Sequence, residues 1–416
     1  MENEAIRVVG HQWAPDAHAI KDFLGRNQVP FRWLDLDRTR EAGALLADAG
    51  LEHAALPVVF MTDGKVLQDP PIADLADHLG MHIHADRRYY DVAIVGAGPA
   101  GLAAAVYGAS EGLSTVLIER EAPGGQAGTS SRIENYLGFP TGVSGAELAQ
   151  RALTQAKRLG AEVLSPVAVT ALSTAGGYKE LQLSDGSAIT SRAVIIATGV
   201  SYKHLPAPGL NRLTGAGVYY GAATTEALAA EGQHIYVVGS ANSAGQGAKH
   251  FSKFASQVTI LVRGESLAAH MSEYLIEQIE ATPNINVVPY THVIEAVGQD
   301  HLEELVFENV ETGATETVPA SFLFIFIGAE PEHPWLEGTV ASDDHGYILT
   351  GPDLLVDNQL PEGWPLERHP FHLETSSPGI FATGDVRHGS IRRVAGAVGE
   401  GSTAIQLVHR YLASIH

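Results

Sequence analysis

The feature that most constrains the fold of this chain is a glycine-rich turn between two short apolar runs. Val92 to Val95 is apolar, Gly96-Ala97-Gly98-Pro99-Ala100-Gly101 follows, and an alanine-rich segment leads to a second apolar run that ends at Glu119. This order predicts a strand, a tight turn, a helix and a second strand. In such a unit the first glycine permits the turn, the second lets the backbone approach a pyrophosphate, and the third lets helix and strand pack closely.

The residues around this turn predict a bound dinucleotide. The positive end of the helix would face the phosphates, and Glu119, about 20 residues after the turn, can accept hydrogen bonds from a ribose. An ordinary glycine turn before a core helix is the alternative, and the acid that closes the unit argues against it. We therefore expect an α/β dinucleotide-binding domain here.

Composition limits the other functions of the chain. Its 416 residues exceed one usual domain, and 45% of them are hydrophobic, so we expect two or three folded domains. A formal net charge of -22 opposes a nucleic-acid or anionic-membrane partner. The sequence shows no signal pattern and no run near the roughly 18 apolar residues that span a bilayer, so we expect a soluble, cytoplasmic protein. Because cysteine is absent, disulfides, Cys-based metal sites and dithiol chemistry by its own side chains are excluded.

Residues 1–85 are predicted to form a small separate domain with alternating strands and helices. The expected strands are Ile6 to Val9 and Phe31 to Leu36, the helices Ala17 to Gly25 and Arg38 to Ala49, and a hairpin runs from Pro57 to Leu67. This pattern resembles the thioredoxin or glutaredoxin fold, in which Leu56-Pro57 would be the cis-proline bond. The redox cysteines of that fold would lie near Trp13 to Asp16, where this chain has Trp-Ala-Pro-Asp. Docking or dimer contact is therefore favoured over redox chemistry.

His82 and His84 precede Asp86-Arg87-Arg88, a charged run that is typical of a solvated linker. A metal-binding role for the two histidines is the alternative. We favour the linker interpretation, so no metal site is expected.

Further glycine-containing segments are predicted beside the same ligand. Gly124-Gly125-Gln126 allows close approach of backbone amides to a phosphate or a flat ring, and Gln126 and Asn135 can hydrogen-bond to ring edges. The run from Val194 to Thr198 predicts a buried strand, and Gly199 turns the chain after it.

Taken together, GAGPAG with IER, PGGQ, IENYLGFP, ATG, a second nucleotide unit, FATGD and RRVAGAVGEG resemble the thioredoxin reductase family of flavoproteins from about residue 90 to residue 416. The resemblance implies two Rossmann-like three-layer domains behind the thioredoxin-like one. FAD would bind residues 86–206 and 336–416, and NAD(P)H would bind the inserted residues 207–335. A homodimer is also implied.

The resemblance assigns FAD-binding residues by position. They are Gly96, Gly98, Pro99, Ala100, Gly101, Glu119, Arg120, Gly125, Gln126, Asn135, Thr198, Gly199, Gly384, Asp385, Arg392, Arg393 and Val394. The glycine turn would hold the pyrophosphate, Asp385 the ribityl chain, and residues 392–394 the isoalloxazine ring. The last three precede a predicted helix, whose positive end would stabilise the negative charge of a reduced flavin. A solvated basic pair is the alternative for the two arginines.

The inserted domain repeats the unit with Gly239-Ser240-Ala241-Asn242-Ser243-Ala244. Gly239, Asn242, Ser243 and Arg263 are its predicted nucleotide-binding residues. Ala241 replaces the family's middle glycine and brings a methyl group to the closest phosphate approach. Only Arg263 remains of the basic residues that pair with a 2'-phosphate. NADPH and NADH both remain open, as does a site that no longer binds nicotinamide.

The sharpest departure from the family lies at Gly221 and Thr224, which occupy the positions of its two redox cysteines. The chain should therefore not reduce thioredoxin through a dithiol of its own. Small side chains would lie over one flavin face, with Tyr219 or Tyr220 as a partial cover. A site that is filled and inert is the alternative.

The sequence thus predicts an oxidoreductase that moves electrons from NAD(P)H through FAD to a non-disulfide acceptor, either a small molecule or a redox protein. No catalytic acid or base can be assigned. A ferredoxin-NADP reductase-like electron transferase and a flavin-containing sensing or docking protein without NAD(P)H turnover are the alternatives.

Overall fold

The computed structural model describes residues 5–130, 132–221, 230–336, 338–355, 357, 359–361 and 363–415. The helices are α1 (Pro15–Arg26), α2 (Arg40–Asp48), α3 (Ile72–His78), α4 (Pro99–Ser110), α5 (Gly125–Gly128), α6 (Gly145–Leu159), α7 (Asn242–Phe251), α8 (Glu273–Glu280) and α9 (Val394–Ser414). Short 3-10 helices lie at Pro334–Leu336, Gly351–Leu354 and Gly384–Val386.

The strands follow in chain order. They are β1 (Ile6–Gly10), β2 (Phe31–Asp35), β3 (Val58–Phe60), β4 (Val66–Gln68), β5 (Tyr89–Val95), β6 (Thr115–Ile118), β7 (Glu162–Leu164), β8 (Val169–Ala175), β9 (Tyr178–Leu183), β10 (Ala188–Ile196), β11 (Ser201–Tyr202), β12 (Val218–Tyr220), β13 (His234–Val238), β14 (Gln257–Leu261), β15 (Ile285–Val288), β16 (Thr291–Val297), β17 (Glu304–Asn309), β18 (Thr315–Pro319), β19 (Phe322–Ile325), β20 (Ala329–Glu330) and β21 (Ile380–Ala382).

The chain divides into two compact units. The first comprises Met1–Pro71 and Tyr202–Gly328, and the second comprises Ile72–Ser201 and Ala329–His416. The first fifth of the chain therefore shares a unit with the inserted segment. Within the described residues, no helix is long and apolar enough to cross a membrane.

The N-terminal part of the first unit is a four-stranded sheet in the order β2-β1-β3-β4. β1 is parallel to β2 and antiparallel to β3, and β3 is antiparallel to β4. The predicted elements agree with these strands, with α1 and with α2 to within a few residues. The Leu56-Pro57 bond is cis, as predicted.

The rest of the first unit contains a parallel sheet in the order β12-β19-β13-β14-β15 and an antiparallel sheet β16-β17-β18. Strands buried on both faces of a parallel sheet are continuous apolar runs, and β19, with the sequence FLFI, is buried along its whole length. Trp13 from the N-terminal part packs on the core cluster that includes Phe322 and Phe324.

The second unit has a sheet in the order β7-β6-β5-β10-β9-β8, with β21 paired to β10. β5, β6, β7, β10 and β21 run parallel, whereas β9 is antiparallel to β10 and to β8. Helices α4, α6 and α9 cover one face of this sheet through a core cluster of alanine and larger apolar side chains.

Local sequence explains the bounds of α6. The Ser144 side chain accepts a hydrogen bond from the Glu147 backbone amide at 3.1 Å, and Gly160 ends the helix with a φ of 101°. Serine before a helix with glutamate three residues later, and glycine after its end, are the expected capping residues. Helix α6 also packs against α4, which leads out of the glycine turn.

The Pro-rich segment before β21, residues 351–374, is held by side-chain contacts at its C-terminal end. Arg368 donates to both carboxylate oxygens of Glu374 at 2.6 and 3.0 Å, and its guanidinium carbon lies 3.9 Å from the centre of the Phe371 ring. Glu374 is fully buried. These contacts fix the chain where it leads into β21.

Candidate cofactor sites

The first candidate site lies at the carboxyl edge of the parallel sheet in the second unit. Register aligns Val95 of β5 with Ile196 of β10, and Ile196 with Ala382 of β21. The residues that follow these strands, Gly96, Thr198 and Thr383, therefore lie at one edge. Ligands of open α/β sheets bind outside this edge.

The three glycines of the first turn have three different environments. A Cβ atom on Gly96, whose φ is 101°, would lie 2.5 Å from the Ala197 carbonyl oxygen, and one on Gly101 would lie 1.8 Å from the Gly96 carbonyl oxygen. A Cβ atom on Gly98 would meet nothing within 4 Å. Gly96 and Gly101 are thus required by the protein's own packing, whereas Gly98 borders open space.

Gly98 is also the N-cap of α4, and Pro99 is at its start. Proline at this position loses no helical hydrogen bond, and the remaining amides of the first turn point out of the helix towards the edge of the sheet. Ala100 on the first turn is buried. The open space beside Gly98 therefore lies where a helix N-terminus favours an anionic group.

Glu119 is tied to the glycine turn. One carboxylate oxygen accepts from the Ala97 amide at 2.7 Å, and the other accepts from the Glu121 amide at 2.9 Å. Glu119 is 8% exposed. Arg120 is exposed, and it donates to the Ser201 hydroxyl at 3.1 Å.

The Gly124-Gly125 pair lies against the first glycine turn. The Gly124 amide donates to the Ala97 carbonyl at 2.8 Å, and a Cβ atom on Gly125 would lie 3.1 Å from Gly98 Cα. The side-chain amide nitrogen of Gln126 lies 3.5 Å from the Val200 carbonyl oxygen, at the limit of hydrogen bonding. The structure therefore brings Gly125 to Gly98, as the two predicted roles require.

Two buried hydroxyls at the same edge lack a hydrogen-bond partner among the described atoms. They are Oγ1 of Thr198 and Oγ1 of Thr383. Because a buried polar atom without a partner is costly, such atoms indicate a polar group that belongs beside them. With the space at Gly98, they fit a ligand that carries hydroxyl and phosphate groups, as FAD does. Gly199 follows Thr198 with a φ of 64° and open space around it.

Thr383-Gly384-Asp385 is held near the start of α4 by Glu400, a residue that the sequence did not indicate. Glu400 of α9 accepts from the Gly384 amide at 2.7 Å and from Arg387 at 2.7 Å. A Cβ atom on Gly384 would lie 3.1 Å from the Ala100 side chain. Burial raises the pKa of the Asp385 carboxyl, the Arg392 guanidinium opposes this rise, and the Glu400 carboxylate adds to it.

The other residues predicted to lie near the flavin are exposed, apart from the half-buried Val394. Arg392 donates to the Tyr347 hydroxyl with its guanidinium over the Tyr347 ring, Arg393 is the exposed N-cap of α9, and Val394 is its first residue. Asn135 is exposed on the loop between the paired Ile133 and Val143. The placement of these four residues beside a flavin stays a prediction.

The second glycine turn, Gly239 to Ala244 in the first unit, has the same strand–turn–helix architecture. It has alanine at the two positions where the first turn has Gly98 and Gly101. A Cβ atom on Gly239 would lie 2.5 Å from the Phe326 carbonyl oxygen and 3.0 Å from Ala244 Cβ. Ala241 is the N-cap of α7 and has a methyl group where the first turn has Gly98. The side-chain oxygen of Asn242 accepts hydrogen bonds from the backbone amide and the hydroxyl of Ser272 at 2.8 and 3.1 Å.

Strand register locates the counterpart of Glu119 in this unit. Val95 pairs with Ile118 and Val238 pairs with Leu261, so the residue after Leu261 corresponds to Glu119. That residue is the buried Val262, and the exposed Arg263 follows it. Ser243, in the first turn of α7, is exposed. The second turn thus has an apolar residue where the first has its acid, and an exposed arginine follows this position in both, Arg120 and Arg263.

An aromatic ring occupies the space at the first of the two predicted cysteine positions. Gly221 has a φ of 76°, and a Cβ atom there would lie 2.4 to 2.7 Å from the Tyr202 ring. Thr224 lies outside the described residues. The prediction that Tyr219 could cover a flavin is wrong, because its ring is buried against Phe322 and Phe324. Tyr220 is half-buried and lies next to His204, with 4.6 Å between ring centres.

These sites identify a class of protein. Residues 90–401 match the pyridine nucleotide-disulphide oxidoreductase family, and the chain belongs to it. Within that family it is thioredoxin reductase-like. It is 33% identical over 329 residues to the thioredoxin reductase of Peptoclostridium acidaminophilum, covering 78% of this chain and 97% of that protein. It is 32% identical to the thioredoxin reductase of Bacillus subtilis (strain 168), covering 79% and 96%.

Solved structures agree with this assignment. The thioredoxin reductase of Lactococcus lactis superposes with a TM-score of 0.70 at 31% identity, covering 78% of this chain and 99% of that one. Proteins of the thioredoxin reductase-like family bind FAD and use NADPH. The expected oxidoreductase class and cofactors are therefore confirmed. Residues 1–89 precede the family match.

Proposed function

We propose that this chain is an FAD-dependent NADPH oxidoreductase that delivers electrons to a non-disulfide acceptor without using a dithiol of its own. The observation that carries the proposal is Gly221: the chain has no cysteine, and the Tyr202 ring fills the space where a side chain would start. Transfer through an internal dithiol requires two sulfur atoms. Members of a disulfide reductase family without them must pass electrons elsewhere.

FAD, when bound, accepts two electrons from a nicotinamide and can release them singly or together. The residues around Gly98 would seat its pyrophosphate at the N-terminus of α4, with Gly125 on the other side of the same space. Thr198 and Thr383 would donate to its polar groups. Asp385, held by the turn that Glu400 fixes, would accept from the ribityl hydroxyls.

The second turn would bind NADPH in preference to NADH. NADH sites commonly use an acid to bind the ribose hydroxyls, whereas a 2'-phosphate is stabilised by an arginine. Val262 replaces the acid and Arg263 follows it. Gly239 and the amides at the start of α7 would face the pyrophosphate, with the Ala241 methyl group limiting how closely it can approach.

Anaerobic stopped-flow mixing of the FAD-loaded protein with NADPH tests the donor side. We expect the flavin absorbance to bleach faster with NADPH than with NADH. Steady-state turnover then tests the acceptor side: ferricyanide, ferredoxin, quinone or dioxygen should be reduced, and thioredoxin disulfide should not. The appearance of thioredoxin thiols at a comparable rate would contradict the proposal.

A flavin-containing sensing or docking protein is the second candidate, and Ala241 favours it. If its methyl group excludes the pyrophosphate, the flavin would be reduced only by a partner protein. Fluorescence titration separates the two candidates. NADPH binding in the micromolar range supports the oxidoreductase, whereas tight FAD with no nicotinamide binding supports the sensor.

For the N-terminal residues we propose a thioredoxin-like domain that serves for docking within the chain. Its support is the strand order 2-1-3-4, the two helices between the strands and the cis Leu56-Pro57 bond before β3. Trp13, where a redox cysteine would be expected, stacks on His301 with 5.2 Å between ring centres and lies at the same distance from Phe322. The His18 ring of α1 lies beside the Tyr219 ring, with 5.2 Å between ring centres.

This end of the small sheet is therefore covered by the inserted segment of the same unit. Hydrogen exchange tests the docking role. Trp13→Ala should increase exchange in α1 and in β19, whereas Arg32→Ala, which removes an exposed pair with Glu41, should leave both unchanged. Equal exchange in wild type and Trp13→Ala would remove the docking proposal. The homodimer remains a prediction that light scattering can measure.

A further inference from the structure

A cavity of about 400 Å³ lies at the edge of the second unit's sheet that is opposite the glycine turn. Tyr90, Thr115 and Glu162, near or at the starts of β5, β6 and β7, line it. The glycine turn follows the carboxyl end of β5, one strand length away. This cavity is therefore separate from the FAD site, and nothing in the proposed electron transfer uses it.

Three side chains that line the cavity bring potential metal ligands together. Among the described residues, one ligand atom from each of His82, Asp86 and Glu162 lies within 4.8 Å of the others. Nε2 of His82 is 3.0 Å from Oε1 of Glu162 and 3.8 Å from Oδ1 of Asp86. In a tetrahedral zinc site with bonds of about 2.1 Å, neighbouring ligand atoms are about 3.4 Å apart. The observed separations lie on both sides of that value.

The Glu162 carboxylate is held in place by hydrogen bonds from two further groups. The Tyr90 hydroxyl donates to Oε2 of Glu162 at 2.6 Å, and the Asp86 amide donates to Oε1 at 2.6 Å. Tyr90 is 1% exposed, and the Glu162 side chain is 12% exposed. Hydrogen bonds that fix a ligating carboxylate are typical of metal sites.

The histidine is also positioned by its backbone. The Ser165 amide donates to the His82 carbonyl at 3.0 Å, which holds the segment before β5 against the chain after β7. The predicted solvated linker is thus only partly correct: His82 is bonded to Glu162, and His84 is bonded to Asp185 at 2.9 Å. Glu162 lies 80 residues from His82, so no local pattern could reveal the pair.

We propose that His82, Asp86 and Glu162 bind one first-row divalent cation of the zinc class. An imidazole with two carboxylates suits such ions and disfavours Mg²⁺ and Ca²⁺, which prefer oxygen ligands alone. Three protein ligands leave one position for water or a small anion from the cavity, where Arg87 and Lys157 also lie. The ion would replace the hydrogen bond between His82 and Glu162 and fasten residues 82–86 to the start of β7.

The test uses untagged, FAD-loaded protein that has been stripped with EDTA and then titrated with Zn²⁺ against a chromophoric chelator. The chain has 19 histidines, so weak adventitious binding must be separated from the site. We expect one tight zinc per chain. His82→Ala should weaken it at least tenfold, and His84→Ala, two residues away and bonded elsewhere, should not change it.

Two further variants distinguish a built site from a local structural effect. Tyr90→Phe removes only the hydroxyl that positions Glu162 and should weaken zinc binding about 10- to 100-fold. Glu162→Gln keeps the shape and should abolish tight binding. Flavin absorbance and the melting temperature without zinc show that each variant is folded. No tight zinc in the wild type, or equal loss in His82→Ala and His84→Ala, would overturn the proposal.

Discussion

The two glycine turns share one architecture and differ in how much space they leave for a ligand. At the first, Gly98 borders open space and Glu119 is tied to the Ala97 amide. At the second, Ala241 and Val262 occupy the corresponding positions. With the cofactors proposed above, the first turn would hold a pyrophosphate and ribose closely, and the second would give up part of this contact. The difference would suit a cofactor that stays bound at the first turn and a donor that must leave the second after each turnover.

The third position of each turn offers the largest expected effect. Gly101→Ala places a Cβ atom 1.8 Å from the Gly96 carbonyl oxygen, so we expect a loss of about 3 kcal/mol or more. The matched change, Ala244→Gly, should cost only about 0.5–1 kcal/mol. Thermal unfolding and soluble yield measure both. Similar melting temperatures for the two variants would mean that the first turn is no tighter than the second.

The middle position of the first turn separates binding from folding. Gly98→Ala meets no protein atom within 4 Å and its φ is -69°, so the melting temperature of the FAD-free protein should not change. The methyl group would intrude on the pyrophosphate, and we expect FAD affinity to fall about 10- to 100-fold, corresponding to about 1–3 kcal/mol. Equilibrium dialysis against FAD measures it. Unchanged affinity would place the pyrophosphate elsewhere.

The reciprocal change should bring the second turn closer to the first. Ala241→Gly removes the methyl group, and we expect NADPH affinity to rise about 5- to 10-fold, or about 1 kcal/mol. Fluorescence titration measures the gain, with Ala244→Gly as the control for added flexibility. A loss of affinity would show that the methyl group contacts the nucleotide favourably.

The smallest effect is expected from the cation after the second turn. Arg263 is exposed, so its pairing with a 2'-phosphate is worth about 0.2–1 kcal/mol. Arg263→Ala should weaken NADPH binding about 2- to 5-fold and leave NADH binding unchanged. The ratio of the two dissociation constants is the measurement. Equal weakening of both would indicate a structural role.

The sequence was most informative where function depends on spacing along the chain. The glycine pattern, the acid at Glu119 and the strand–helix order of the first 70 residues could be recognised because each has a characteristic order and spacing along the chain. Glu400, Tyr202 and Ser272 could not, because they reach Gly384, Gly221 and Asn242 across 16, 19 and 30 residues. Such contacts depend on how elements pack in space, and no periodicity or turn signal records them.

The ring beside Gly221 has a consequence for engineering. A cysteine introduced there would have to adopt a left-handed backbone, and its Cβ atom would lie 2.4 Å from the phenol ring of Tyr202. A variant designed to carry sulfur at this position therefore also needs the Tyr202 ring to move or to be replaced by a smaller side chain.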